Sequence, residues 1–187
     1  DIAILAQESD LTVESTVVRD TLPQAADLMF GRGINVQTDE FAPSAASLVL
    51  RFSTVLANRD VGVILLGGAT GRVENSLIAT TGLREADATL GDGLDAQSHG
   101  TAIPQLEVID SVVADNVRAG IGNFGSFVAL QSSVFRCNAV QLNGEDQNAG
   151  PFNFDDRGGN LCGCDEPLGT CQVLSAGLHP PDPVSSQ

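Results

Sequence analysis

Seven charged side chains, Asp27, Arg32, Arg84, Glu85, Asp87, Asp92 and Asp95, fall in two stretches, 21–37 and 81–97, that align with each other. Gathered carboxylates can pass protons as acid and base or hold Ca²⁺ through oxygen, and a neighbouring arginine can read an anionic ligand. Ca²⁺ is thus the one cofactor these residues could take. Asp155-Asp156 is a smaller carboxylate pair of the same kind, and Gly91-Asp92-Gly93 is too short for a phosphate-binding loop. The four cysteines are Cys137, Cys162, Cys164 and Cys171, the last three close together. Zinc would want paired Cys-x-x-Cys knuckles, and neither His99 nor His179 is spaced to replace one. The even count reads instead as disulfides made in an oxidising compartment, with their pairing open.

The background is acidic. With 24 Asp and Glu against 9 Lys and Arg, the net charge is −15 in 187 residues. That field repels phosphate backbones and anionic lipid surfaces, which argues against nucleic acid as a partner. No apolar run approaches the roughly 20 residues that span a bilayer, so no membrane crossing is expected. The N-terminus lacks a basic stretch followed by an apolar one, so a signal has been removed or the chain is cut from something longer. Length argues for one domain with one core. The absence of Trp and Tyr beside 20 Gly suits a narrow interior filled by aliphatic side chains.

What positions the charged stretches is a repeat. One frame (apolar, x, x, Ser/Thr, x, apolar, x, x, Asn/Thr) occurs at 13–21, 50–58, 73–81, 108–116 and 130–138. Aligned, the copies give columns: Thr16, Ser53, Ser76, Ser111, Ser133; then Val18, Val55, Ile78, Val113, Phe135; then Thr21, Asn58, Thr81, Asn116, Asn138. A fourth column, just before the frame, holds Leu11, Leu48, Gly71, Leu106 and Val128. The intervals between successive Ser/Thr anchors (16 to 53, 53 to 76, 76 to 111, 111 to 133) are alternately long and short. Within each unit apolar residues alternate with polar ones, the period of a strand, and Gly, Asn, Asp or Ser bounds each run. Even the shortest unit, from 111 to 133, has room for three strands and three corners. Equivalent strands would then stack in parallel about 4.8 Å apart, with like side chains over like. The Asn column can bond along the stack, the Ser column fits a crowded corner, and Gly33, Gly62, Gly93 and Gly120 mark positive φ or close backbone approach. The expectation is an all-β, three-sided solenoid of about five coils. Its two charged loops would lie two coils, or about 10 Å, apart.

The Val-x-x-Ser-x-Val-x-x-Asn frame followed by Gly-Ile or Gly-Val resembles the right-handed parallel β-helix repeats of the pectin-lyase-like superfamily. The phrase Val18-Arg19-Asp20-Thr21-Leu22-Pro23-Gln24, with the Cys162 to Cys171 ending, resembles a subgroup of secreted or surface-attached bacterial β-helix proteins of unassigned function. That resemblance implies a fold for residues 1–178 and an extracellular or cell-surface location. An enzyme on such a scaffold would act on acidic polysaccharide, as a lyase with a Ca²⁺ site or as a hydrolase with facing carboxylates. The acidic-pair and Gly-His-Gly motifs of polygalacturonases are missing, with only Ser98-His99-Gly100 as a fragment.

Residues 1–142 are expected to form the coils, 143–178 an irregular cap stapled by cysteines and plugged by Phe152 and Phe154, and 179–187 an extended tail. Asp1 to Ala6 aligns with Asp60 to Leu65, so the chain enters at the third strand of a coil. Upstream coils of a longer protein, or a second copy stacking end to end, would cover that coil. The leading reading is a non-catalytic extracellular structural or binding module of a surface protein. The alternative is a polysaccharide-active enzyme or carbohydrate binder using the long-coil loops, with a glycan as ligand.

Overall fold

Strands form wherever the frame alternates, because each inward position meets the same kind of side chain from the coil before it. The computed structural model describes residues 1–39, 44–147 and 150–184, so the end of the expected tail, 185–187, lies outside the described residues. The first coil holds β1 (Ile2–Gln7), β2 (Asp10–Glu14) and β3 (Val17–Arg19), and the second β4 (Arg32–Thr38), β5 (Ser47–Arg51) and β6 (Thr54–Leu56). The third holds β7 (Val61–Gly67), β8 (Thr70–Glu74) and β9 (Leu77–Ala79), and the fourth β10 (Asp92–Gln97), β11 (Gln105–Ile109) and β12 (Val112–Ala114). The fifth holds β13 (Ala119–Phe124), β14 (Phe127–Gln131) and β15 (Val134–Arg136). A sixth holds β16 (Val140–Glu145), β17 (Asn153–Asp156) and β18 (Leu161–Gly163), and β19 (Val173–Leu174) follows. Equivalent strands stack in parallel as three sheets: sheet 1 from β1 to β19, sheet 2 from β2 to β17, and sheet 3 from β3 to β18.

The columns are real stacks. Val18, Val55, Ile78, Val113 and Phe135 pair in that order down sheet 3, and all are buried. Leu11, Leu48, Gly71, Leu106 and Val128 pair likewise down sheet 2, Leu11 partly buried and the others buried. At Gly71 the missing side chain is replaced by Leu65, whose Cδ1 occupies the space a Cβ would need. Each fully buried aliphatic side chain contributes about 1.5–3 kcal/mol, so the stacked interior is the main source of stability.

The polar columns bond along the axis. The backbone N–H groups of Thr16, Ser53, Ser76 and Ser111 donate to the Oγ of Ser53, Ser76, Ser111 and Ser133, one coil on, at 3.1–3.2 Å. In the next column the Thr21 and Thr81 N–H groups donate to Asn58 and Asn116 Oδ1, and Asn116 Nδ2 donates to Asn138 Oδ1 at 2.9 Å. Most of these corner residues are buried, so each bond there satisfies a group that water cannot reach. Replacing Asn116 by Ala strands the Thr81 N–H and is expected to cost about 1–3 kcal/mol in urea unfolding. A variant as stable as the parent would show that the Asn column is ornamental. The Gly33, Gly62, Gly93 and Gly120 column is explained by close approach: a Cβ on Gly33 would lie 2.5 Å from Gly62 O, and one on Gly62 2.6 Å from Gly93 O.

The sheets run further than the repeat suggests. The segment expected as an irregular cap supplies β17 and β18, which pair with β14 and β15, and β19, which pairs with β16. The frame is hard to see there because its residue types change while its positions persist. Phe154 continues the Leu11 column, Cys162 the Val18 column, and Asn160 takes the Ser position, accepting from Ser133 N–H at 3.0 Å. Phe154 packs on the core, as its reading as a plug anticipates. Disulfides join Cys137 to Cys164 and Cys162 to Cys171, tying this coil to the fifth and closing it on itself. Reduction is expected to remove about 2–4 kcal/mol per bridge and to free β17–β19 first. Hydrogen exchange with and without reductant would show this. Equal loss of protection in β4–β9 would contradict it.

Candidate functional site

Sheet 2 strands such as β5 and β11 alternate between buried and more exposed residues, as expected of a sheet with one wet face. Sheet 1 differs. Every residue of β4, β7, β10 and β13 is buried, so its outer face is covered. Much of the cover is the chain's own end: residues 175–184 leave β19 and run back as a strap along that face.

Polar side chains of sheet 1 hold the strap. Glu145 accepts from Ser175 Oγ and from the N–H groups of Gly177 and Leu178, and Asn143 Oδ1 accepts from Ala176 N–H. Burial pushes the Glu145 carboxyl up, but these donors outweigh it and hold it below its ordinary value. Further back, Arg118 donates to His179 O at 2.9 Å, Arg84 to the Asp182 carboxylate at 2.6 Å, Arg32 to Asp182 O at 2.6 Å, and Gln37 to Val184 O at 3.2 Å. Pro181 is buried between these anchors.

Beneath lies a row of charge. Arg32 and Asp60 are both 0% exposed and pair at 2.7 Å, while Arg32 also donates to Asn35 and stacks on Phe30. Burial raises the Asp60 carboxyl and Arg32 partly offsets this. Arg118 grips the buried Asp92 with two N–H groups. Asp95 is 1% exposed and neither of its carboxylate oxygens meets a donor. Burial, then the charge of Asp92, pushes its carboxyl well above the ordinary range, so it prefers to keep its proton. It sits over Gly122, where any Cβ would strike its Oδ1.

The seven candidates therefore separate. Arg32, Asp92 and Asp95 are not loop residues but buried strand residues of sheet 1, and of the three Arg32 bonds directly to the strap. Asp27 and Asp87 sit at equivalent exposed turns and close them, accepting from the N–H groups of Met29 and Thr89. The two loops touch rather than stand about 10 Å apart, since Ala86 N–H donates to Leu28 O at 3.1 Å. Arg84 binds both Asp87 and Asp182, which keeps the Asp87 carboxyl far below its usual range. Glu85 is exposed at the loop surface. Asp60, Arg118, Gln37 and Asp182 complete the site and were not picked out by type and spacing. The signal available was a charged residue at or just before the entry of four consecutive sheet 1 strands: Arg32, Asp60, Asp92 and Arg118.

Strap and loop enclose a cleft of about 550 Å³ lined by Leu83, Arg84, Asp87, Leu90, Val117 and Arg118 on one side and Leu178, His179, Pro180 and Asp182 on the other. It offers apolar walls and two arginines, both already bonded to carboxylates. No three His, Cys, Asp or Glu side chains are arranged to hold a metal ion among the described residues.

No protein-family profile and no curated protein sequence matches the chain. Among solved structures, pectate lyase Pel9A superposes with a TM-score of 0.58 at 14% identity, over 88% of this chain and 40% of that one. This chain is a right-handed parallel β-helix. The likeness carries the pectin-lyase-like fold, and the β-helix spans well under half the length of the lyase it matches.

Proposed function

We propose that this β-helix is a non-catalytic extracellular module: a rigid, disulfide-closed scaffold that binds through the strap-covered side of sheet 1. The observation that carries this reading is the state of its charged groups. Asp60 and Asp92 are buried against arginines, Asp87 is held by Arg84, and Asp95 is sealed from water. A glycosidase or lyase needs facing carboxylates or a base open to substrate, and these groups are spent on holding the fold and the strap. The two disulfides support an oxidising, extracellular setting. The first coil, β1 to β3, ends each sheet and offers unpaired main-chain groups, to which we assign upstream coils of a longer protein or a stacked second copy.

Incubation with uronate-rich polysaccharides, with and without Ca²⁺, is expected to give no unsaturated product and no new reducing ends. Turnover that Asp87→Ala abolishes would sink the proposal. A second reading, a carbohydrate binder, is favoured by the cleft beside Arg84 and Arg118. A pectate lyase on the same fold makes acidic glycans the first to screen by affinity electrophoresis. Retardation by such a glycan, lost in Arg84→Ala, would support binding without turnover.

A further inference from the structure

We propose that the outer face of sheet 1 is a docking groove for an extended, proline-rich segment carrying one aspartate, filled by the chain's own strap in the monomer and by the strap of a second copy when that strap is kept from folding back. The groove reads a peptide. Arg32, Gln37 and Arg118 each donate to a main-chain carbonyl of the strap, which any extended backbone presents at regular intervals. Past the turn at Gly177, Arg84 reads a side chain, the Asp182 carboxylate. Backbone bonds thus set register and one carboxylate sets choice, the division of labour of peptide-binding grooves. Pro180, Pro181 and Pro183 keep the segment extended before it docks, so little chain entropy is lost on binding.

The strap is a separable part. Among its described residues it contains no strand and no disulfide, and only Pro181 is buried. Every contact it makes beyond the turn at Gly177 is available to the same segment of another molecule. What directs it onto its own body is the turn at Gly177, which has φ of 68° and open space around it. The strap starts against Glu145 and Asn143 on β16 and ends against Gln37 on β4, so an incoming strap must enter at the sixth coil. Two copies exchanging straps place their sixth coils together. That contact is self-complementary and closes as a two-fold dimer rather than growing as a filament, unlike stacking on the first coil. In the dimer the cleft beside Arg84 is completed by the second copy's Leu178, His179, Pro180 and Asp182.

The test uses full-length chains. Gly177→Pro fixes φ at about −65°, removes the N–H that Glu145 accepts, and leaves the coils untouched. The strap can then no longer fold back. Light scattering after gel filtration at physiological salt is expected to give one chain for the parent and two for Gly177→Pro. Adding Asp182→Ala or Arg84→Ala is expected to raise the dimer dissociation constant about tenfold, with no further loss when both are present. A monomeric Gly177→Pro chain with intact circular dichroism overturns the proposal, and so does a dimer indifferent to both added changes. Parent protein refolded from denaturant provides a second measurement. Its dimer fraction is expected to rise with protein concentration during refolding, and a fraction independent of concentration counts against exchange.

Discussion

Arg32→Ala is expected to destabilise the protein by about 3–5 kcal/mol, the cost of removing one partner from a buried ion pair. Arg32 and Asp60 are both fully out of water, and each nitrogen of the guanidinium has a partner: Asp60, Asn35 and the carbonyl of Asp182. Deleting it leaves the Asp60 carboxylate buried without its counter-charge and frees the strap at that anchor. In a chain of this size the loss corresponds to a fall in melting temperature of roughly 6–20 °C. Arg32→Met with Asp60→Asn, which removes both charges, is expected to recover more than half of it. Asn suits position 60, whose φ of 62° few residue types accept. By contrast Arg84→Ala breaks contacts to Asp87 and Asp182, both substantially exposed, and is expected to cost about 1 kcal/mol or less. Calorimetry of these variants beside the parent checks the set. If Arg32→Ala and Arg84→Ala lose the same small amount, the pair under the strap does not anchor it.

Asp95→Asn is expected to stabilise the protein, and to do so only above the pH at which an ordinary carboxyl ionises. The folded state holds the Asp95 proton more tightly than the unfolded chain, whose carboxyl titrates near 3.8. Below that pH the group is protonated in both states and contributes no difference. As pH rises from there, the unfolded chain releases the proton first, and stability falls by about 1.4 kcal/mol per pH unit until the folded carboxyl also ionises. Asparagine has the shape of the protonated acid and cannot ionise, so it removes this loss. The same outward column already carries Asn35 two coils earlier, with Ile64 between, so the site accepts the amide. Urea unfolding of parent and variant from about pH 3 to 8 should give coincident stabilities at the acid end and a widening gap toward neutrality. Parallel curves would mean that Asp95 has access to water or a donor, and the sealed face would have to be abandoned.

How much of this is legible in the sequence depends on the range over which each feature is encoded. The Val18 to Phe135 column, the Ser and Asn stacks and the duplicated loops can be read directly, because a solenoid repeats one local environment at every turn and each turn writes the same residue types at the same spacing. The sixth coil reads as irregular because its positions are kept while Phe154, Asn160 and Cys162 replace the usual residues. Sequence alone thus determined the architecture, the inward faces and the corner chemistry. It could not decide what becomes of the outward face of sheet 1. Alternation places Asp95 on that face, while Arg32 and Asp92 share the parity of the inward Ile34 and Leu94 and stand at the strand entries, and nothing local says what covers these side chains. The answer comes from a distant segment near the end of the chain, whose Asp182 carbonyl bonds to Arg32. Its docking depends on donors from several coils aligned only once the helix is wound, and that alignment turns exposed loop chemistry into a buried charge row.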